Sequence, residues 1–164
     1  MRSTVTVGGR SPWTLAMKTI FAILALFTIH LCALAGFETD IRATNRVILK
    51  SESWTPTADQ AQKALASIQS FLGKPATTNE YQLREIKKIL AHSRNYRVQF
   101  VGIIRDGRKV IWCNFFPVAG KGKDEFQNWR KERIVVDDGG FFYWQIEYDP
   151  EADKCSRFYS NGYA

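Results

Sequence analysis

The dipeptide Asp106-Gly107 constrains the fold of this chain more than any other feature. It separates two runs rich in β-branched and aromatic residues, 96–105 and 108–116. Asp-Gly between two such runs is a strong signal of a β-hairpin with a two-residue loop. A loop of that length also fixes which residues lie opposite each other. The sequence therefore predicts two antiparallel strands in a defined register.

The predicted register divides the hairpin residues between two faces, because successive side chains of a strand point to opposite sides. One face carries large apolar residues, and we expect it to contact helices. The other mixes amides with apolar residues, and we expect it to be open. The first face holds the pairs Val98–Phe115, Phe100–Cys113, Gly102–Ile111 and Ile104–Lys109, and the second holds Gln99–Asn114, Val101–Trp112 and Ile103–Val110.

Two amphipathic helices are predicted before the hairpin. The first has two alternative starts, Pro56 with Thr55 as its cap or a capping box formed by Thr57 and Gln60, and it stops at Gly73. The second begins near the capping-box pair Thr77 and Glu80 and ends around His92. Its apolar stripe consists of Leu83, Ile86 and Leu90.

The other predicted elements complete an α+β fold. A first strand lies within residues 40–50, a third strand covers 141–148, a fourth covers 155–160, and a long polar loop spans 117–133. One strand, two helices and then four strands in succession favour an antiparallel meander sheet with the helices on one face. In the third strand, one side is formed by Phe142, Trp144, Ile146 and Tyr148, and the more polar side by Phe141, Tyr143, Gln145 and Glu147.

The amino-terminal residues have the pattern of a secretory signal peptide. From Met17, an alternative start of the protein, Lys18 is followed by an apolar run over 20–31 and by Ala33-Leu34-Ala35. The run is shorter than the roughly 20 residues of a spanning helix, so cleavage is favoured over a retained membrane anchor. We expect residues 1–35 to be removed and residues 36–164 to form one domain, exported to the periplasm or secreted.

The charge of the expected mature chain is modest. It keeps 20 of the 23 Lys and Arg and all 16 acidic residues, so its net charge is +4. Such a charge is typical of a solvated surface, and an exported protein rarely meets nucleic acid. We therefore expect an extracytoplasmic protein or ligand as the partner, and no nucleic acid.

The most conspicuous acidic motif is Asp137-Asp138-Gly139-Gly140. Adjacent residues of an extended segment point to opposite faces, so the two carboxylates do not converge on a cation or form an acid–base pair unless a bulge turns one of them. We interpret Asp138, Gly139 and Gly140 as a structural turn, in which the glycines supply positive φ before the third strand.

The histidine and cysteine content limits which catalytic sites, metal sites and disulfides the chain can form. Only His92 lies outside the predicted signal peptide, so a catalytic triad, a histidine-rich zinc site and any other metal site are poorly supported, and we expect no cofactor. Cys113 and Cys155 lie on the second and fourth strands of the meander. One intervening strand separates their backbones by roughly 10 Å, whereas a disulfide needs about 7 Å or less. We expect two free thiols.

Several short motifs recur in a known family. The chain resembles small, uncharacterised exported bacterial proteins with a cystatin-like domain, which implies an α+β fold of helix and wrapped antiparallel sheet and no known activity. The matching motifs are Trp54 with Pro56, Gln99 with Gly102, Asn114-Phe115-Phe116, Asp138-Gly139-Gly140, Tyr148-Asp149 and Asn161-Gly162-Tyr163-Ala164. Cystatins themselves inhibit cysteine proteases through a Q-x-V-x-G hairpin and a Pro-Trp hairpin, and neither motif is matched.

Two functional hypotheses follow from these patterns. The first is a non-enzymatic exported domain that binds a partner through the open sheet face, at Trp112, Tyr143, Gln145 and Glu147, unless the second helix or the long loop covers that face. The second is a small-molecule pocket of the nuclear-transport-factor-like type, with Asp137, Asp138 or Glu147 as a base. Cysteine protease inhibition comes third.

Overall fold

The computed structural model describes residues 39–122 and 124–163 of the chain. The helices are α1 (Ala58–Gly73) and α2 (Glu80–Ala91), and the strands are β1 (Arg46–Leu49), β2 (Tyr96–Arg105), β3 (Arg108–Pro117), β4 (Trp144–Asp149) and β5 (Lys154–Ser160). The predicted signal peptide lies outside the described residues. In the described part, no helix is both long and apolar enough to cross a membrane.

The five strands form one sheet in the order β1-β2-β3-β4-β5. Strands β2 to β5 are an antiparallel meander, whereas β1 pairs with β2 in parallel. The parallel pair needs a crossover connection, and α1 and α2 supply it. The predicted α+β class with an antiparallel sheet is therefore confirmed, with one parallel strand at its edge.

The predicted hairpin register is confirmed at every pair. Phe100 lies opposite Cys113 and Gln99 opposite Asn114, as the two-residue loop requires. The neighbouring pair β3 and β4 is also confirmed, with Trp112 opposite Glu147. These pairings settle which side chains share each face of the sheet. We call the face toward the helices the inner face and the opposite one the outer face.

The inner face and the two helices enclose an aromatic core. Phe115 and Trp144, both fully buried, stack with ring centroids 3.6 Å apart and an angle of 8° between the rings. Tyr96 packs its ring edge against both. Cys113 and Cys155 are buried free thiols on β3 and β5, with β4 between them. Burial raises the pKa of Cys113 and raises that of Cys155 to about 11, so both are neutral at pH 7.

The two helix starts differ in how well the sequence predicted them. Helix α1 uses the Thr57–Gln60 capping box, one of the two predicted alternatives. For α2 the predicted start near Glu80 is confirmed, but the predicted capping box is wrong, because Asn79 is the N-cap and accepts a hydrogen bond from the backbone of Gln82. Asparagine is as good an N-cap as threonine, and its position moves the first turn by two residues.

The buried stripe of α2 also departs from the prediction. Leu83 and Leu90 are each more than one-third exposed, whereas Ile86, Ile89 and the carboxylate of Glu85 are buried. Glu85 is stabilised by two polar neighbours: the Nζ of Lys88 donates to its Oε1 at 2.9 Å, and the hydroxyl of Tyr163 donates to its Oε2 at 2.7 Å. Hydrogen bonds with Tyr163 and then Glu85 raise the pKa of Lys88. A carboxylate with these partners can take an inward position that periodicity assigns to leucine.

The third strand of the meander begins later than the sequence suggested. Gly139 and Gly140 adopt φ of 90° and 56°, and residues Gly140–Phe142 form a 3₁₀ turn before β4 starts at Trp144. The turn interrupts the two-residue alternation, so the predicted sides of Phe141 and Phe142 are wrong. Phe141 packs against the core, and Phe142 is 44% exposed.

Candidate functional site

The outer face of the sheet is partly covered by residues 118–122 and 124–139, which we call the loop. Gln99, fully buried on β2, is its first attachment. The side-chain amide of Gln99 donates to the carbonyls of Trp129 and Glu132 and accepts from the backbone N–H of Ile134. A single glutamine therefore satisfies three backbone groups of the loop, in place of the ladder that another strand would provide.

Two asparagines continue this attachment along the loop. The Nδ2 of Asn114 donates to the carbonyl of Ile134 at 2.9 Å and to the Oε1 of Gln99 at 3.2 Å. Beyond β5, the Nδ2 of Asn161 donates to the carbonyls of Val136 and Asp138. The loop is thus held to the outer face by side-chain amides at one end of the sheet.

The first part of the loop is held by a cation and by rings. Arg97 on β2 forms a bidentate ion pair with Asp124, with N–O distances of 2.7 and 3.1 Å. This hydrogen-bonded guanidinium lowers the pKa of the Asp124 carboxyl. Phe126 and Trp129 pack edge-on against Phe116 of β3.

The opposite end of the outer face, next to the Asp106-Gly107 hairpin, is covered less completely, and there the loop contributes Arg133, which stacks on the half-buried Trp112. Five side chains cluster there, and we call them the arginine patch. They come from β2, β3, the loop, β4 and β5 in turn, and they are Arg105, Trp112, Arg133, Glu147 and Arg157.

Ion pairs organise the strand side of the arginine patch. The Nη2 of Arg105 donates to the Oε1 of Glu147 at 2.7 Å, and this hydrogen bond raises the pKa of Arg105. The Nε of Arg157 lies 3.6 Å from the Oε2 of the same carboxylate, and its Nη2 lies 3.7 Å from Asp106. The Glu147 side chain is only 6% exposed, whereas those of Arg105 and Arg157 are 44% and 59% exposed.

A β-bulge places Arg157 in this cluster. Strand β5 pairs Ser156 with Glu147 and Tyr159 with Gln145, so two residues of β5 lie opposite Ile146. Arg157 occupies the bulge with φ of 49°, a left-handed conformation that a side chain with a Cβ rarely adopts. Bulges of this kind redirect a side chain.

The aromatic part of the arginine patch is a stacked pair. The guanidinium carbon of Arg133, in the loop, lies 4.4 Å from the ring centroid of Trp112. Arg133 is exposed and Trp112 is half-buried. Trp112 and Glu147 are directly opposite neighbours on β3 and β4, so the stacked pair adjoins the ion pairs.

The structure brings together two of the four side chains predicted to form the binding face. Trp112 and Glu147 belong to the arginine patch. Tyr143 and Gln145 lie at the covered end, where Tyr143 contacts Phe126 of the loop and Gln145 donates toward Asn114 at 3.4 Å. Burial raises the pKa of Tyr143.

Three arginines of the arginine patch were not foreseen from the sequence. Arg105 could have been found, because two-residue alternation along β2 puts it on the same face as Gln99 and Val101. Arg157 could not, because alternation carries no signal for a bulge. Arg133 could not either, because a polar loop has no periodicity.

The carboxylates predicted as bases do not line either of two cavities beside the loop. Asp137 and Asp138 are exposed in the loop. One cavity of about 690 Å³ and another of about 260 Å³ both run beside the loop, and Asp124 and Glu125 line each of them. Among the described residues, no group of three or more His, Cys, Asp or Glu side chains could hold a metal ion.

Comparison of the chain with protein-family models, with curated proteins and with solved structures finds no match.

Proposed function

We propose that the chain is an exported, non-enzymatic binding domain that docks an extracytoplasmic protein on the arginine patch. The observation that carries the proposal is Trp112, a half-buried ring on a five-stranded sheet, with the Arg133 guanidinium stacked on it and Glu147, paired with Arg105, as its neighbour on β4. Tryptophan and arginine are the residues most enriched where protein interfaces concentrate their binding energy. The arginine patch therefore has the composition of an interface centre.

Preorganisation of the arginine patch supports the same proposal. Four of its side chains come from strands, and three of these are joined by ion pairs. Ordering them on binding therefore costs little conformational entropy. Trp112 keeps an exposed part although Arg133 of the loop stacks on its ring.

Export and family membership are further parts of the proposal. The signal-peptide pattern of residues 17–35 supports export from a bacterial cell, and the helices packed on an antiparallel meander support a cystatin-like arrangement. Protease inhibition is a weaker proposal, because Gln99 lies in the middle of β2 and holds the loop instead of standing at a hairpin tip.

A small-molecule pocket is likewise a weaker proposal. The nuclear-transport-factor-like type requires a carboxylate inside a concave sheet, but the inner face here carries fully buried aromatic side chains, and Glu147 is paired with Arg105. The cavity of about 690 Å³ lies in the loop instead.

The proposal can be tested by partner capture. We expect the immobilised mature chain to retain a partner from the extracytoplasmic fraction and Trp112→Ala to abolish that retention. Leu83→Ala is the matched control, because Leu83 is an exposed apolar residue on α2, on the other side of the sheet. Circular dichroism should show both variants folded. Unchanged capture by folded Trp112→Ala would refute the proposal.

Tyr143→Ala separates the arginine patch from the covered end of the face. If the binding surface extends over the whole outer face, this variant loses capture as completely as Trp112→Ala does. If the arginine patch alone binds the partner, Tyr143→Ala changes capture little.

A further inference from the structure

The guanidinium groups of Arg133 and Arg157 have N–H donors that no described residue accepts. Arg157 approaches Glu147 and Asp106 no closer than 3.6 and 3.7 Å, which is beyond hydrogen-bonding distance. Arg133 stacks on Trp112 and makes no hydrogen bond with the residues of 39–122 and 124–163. Each guanidinium carries five N–H donors in a plane.

Arg105 shows how this cluster binds a carboxylate. Its Nη2 reaches the Oε1 of Glu147 at 2.7 Å, a short charge-assisted hydrogen bond. Glu147 is the one carboxylate among the five residues of the arginine patch, which also contains three arginines. When Asp106, 3.7 Å from Arg157, is counted as well, three arginines face two carboxylates, so the arginine patch has an excess of one positive charge.

The backbone of Arg157 adds an independent observation. A non-glycine residue in the left-handed region within a strand is strained, and such strain concentrates at functional positions. The bulge directs the Arg157 side chain toward Glu147. Without the bulge, the alternation of side chains along β5 would continue unchanged.

We infer that the arginine patch binds an acidic segment of the partner protein, with partner carboxylates accepting hydrogen bonds from Arg133 and Arg157. This inference rests on the proposed function. The flat guanidinium matches the planar, two-oxygen geometry of a carboxylate. The exposed part of Trp112 contacts an apolar side chain of the same segment, because a ring stacked on one side by Arg133 keeps apolar surface beside the cations. Glu147 stays paired with Arg105 and lies beside Arg157, while Trp112 holds Arg133 by stacking.

The test uses fluorescein-labelled poly-L-glutamate of about 15 residues as the probe, with anisotropy read at low ionic strength, where screening is weak. We expect Arg133→Gln with Arg157→Gln to weaken binding by at least about tenfold, since each removes a charge-assisted hydrogen bond. Lys63→Gln with Lys87→Gln is the matched control, because both lysines are exposed on the helices and the change in net charge is the same. We expect the control to weaken binding by less than about twofold, by screening of distant charges.

Glu147→Gln gives a prediction of opposite sign. It removes the internal anion but keeps an oxygen that accepts from Arg105, so we expect poly-L-glutamate to bind about threefold or more tightly. If Arg157→Gln fails to fold by circular dichroism, Arg133→Gln alone provides the test, because Arg133 lies in the loop.

Three results would overturn the inference. Equal losses in the arginine and lysine pairs would show that only net charge matters. Tighter binding of dextran sulfate than of poly-L-glutamate, lost in the same arginine variants, would assign the arginine patch to a sulfated polysaccharide. Capture of the partner that is lost in Trp112→Ala but unchanged in the arginine pair would leave the proposed function standing without the acidic segment. Capture unchanged in both variants would instead refute the proposed function.

Discussion

The two faces of the sheet are covered in different ways. On the inner face, helices bury apolar and aromatic side chains, with Phe115 and Trp144 at the centre. On the outer face, an irregular loop is attached by the amides of Gln99, Asn114 and Asn161. Apolar burial contributes in proportion to area and has no direction, whereas the amide contacts depend on orientation. The inner face therefore supplies most of the stability, and the outer face sets which part of the sheet remains accessible.

The largest expected loss of stability comes from a substitution on the inner face. Phe115→Ala removes a fully buried ring that is stacked on Trp144, so we expect the free energy of unfolding to fall by about 3–5 kcal/mol. Urea denaturation followed by circular dichroism measures the loss. A loss below about 1 kcal/mol would contradict the idea that this face supplies most of the stability.

An intermediate effect is expected at Gln99. Replacing it with Ala leaves the carbonyls of Trp129 and Glu132 and the N–H of Ile134 without their partner, at a cost of about 1–3 kcal/mol. Proteolytic cleavage within 118–139 should also become faster, while the helices keep their protection. Gln127→Ala is the matched control, since Gln127 is exposed in the same loop. Equal cleavage rates in both variants would argue against amide attachment.

A smaller loss of stability is expected when Asp124 is protonated at low pH. Arg97 lowers the pKa of this carboxyl below its ordinary value of 3.8, so the ion pair stabilises the fold above that pH and loses its contribution as the pH falls through the lowered pKa. Fluorescence of Trp129, which packs beside Arg97, should report the change. In Asp124→Asn this acid transition should be missing, and its persistence would assign it to another carboxylate.

The smallest expected effect is in the arginine patch. Arg133→Gln with Arg157→Gln should change the free energy of unfolding by no more than about 0.5 kcal/mol, because both side chains are exposed and make no hydrogen bond with described residues. Thermal denaturation checks this expectation. A loss above about 2 kcal/mol would show that these arginines serve the fold.

The sequence predicted those parts of the fold that repeat or turn in a regular way. Asp106-Gly107 determined the register of β2 and β3, and the succession of strands placed β4 beside β3. The attached loop was not predictable, because its contacts join side-chain amides to backbone groups far along the chain. Two of the five residues of the arginine patch, Trp112 and Glu147, were predicted from alternation along the strands. Arg157 depended on a bulge, which leaves no trace in the periodicity.

Glu85 gives a second example of this limit. Its inward position on α2 depends on Lys88 and on Tyr163, which is 78 residues further along the chain. No local pattern signals that a carboxylate will find such a partner. Helical spacing alone therefore predicts Leu83 and Leu90 as core residues instead of Glu85. In the structure both leucines are partly exposed.

The position of Asn161 in the chain affects the order in which the contacts of the loop form. It follows β5, yet it donates to carbonyls at 136 and 138, upstream of β4. During synthesis from the amino end, residues 118–139 emerge before the residue that fastens their far end. Until Asn161 is in place, the amides of Gln99 and Asn114 and the Arg97–Asp124 ion pair hold the loop, and the contacts at its far end form only after β5 has taken its place.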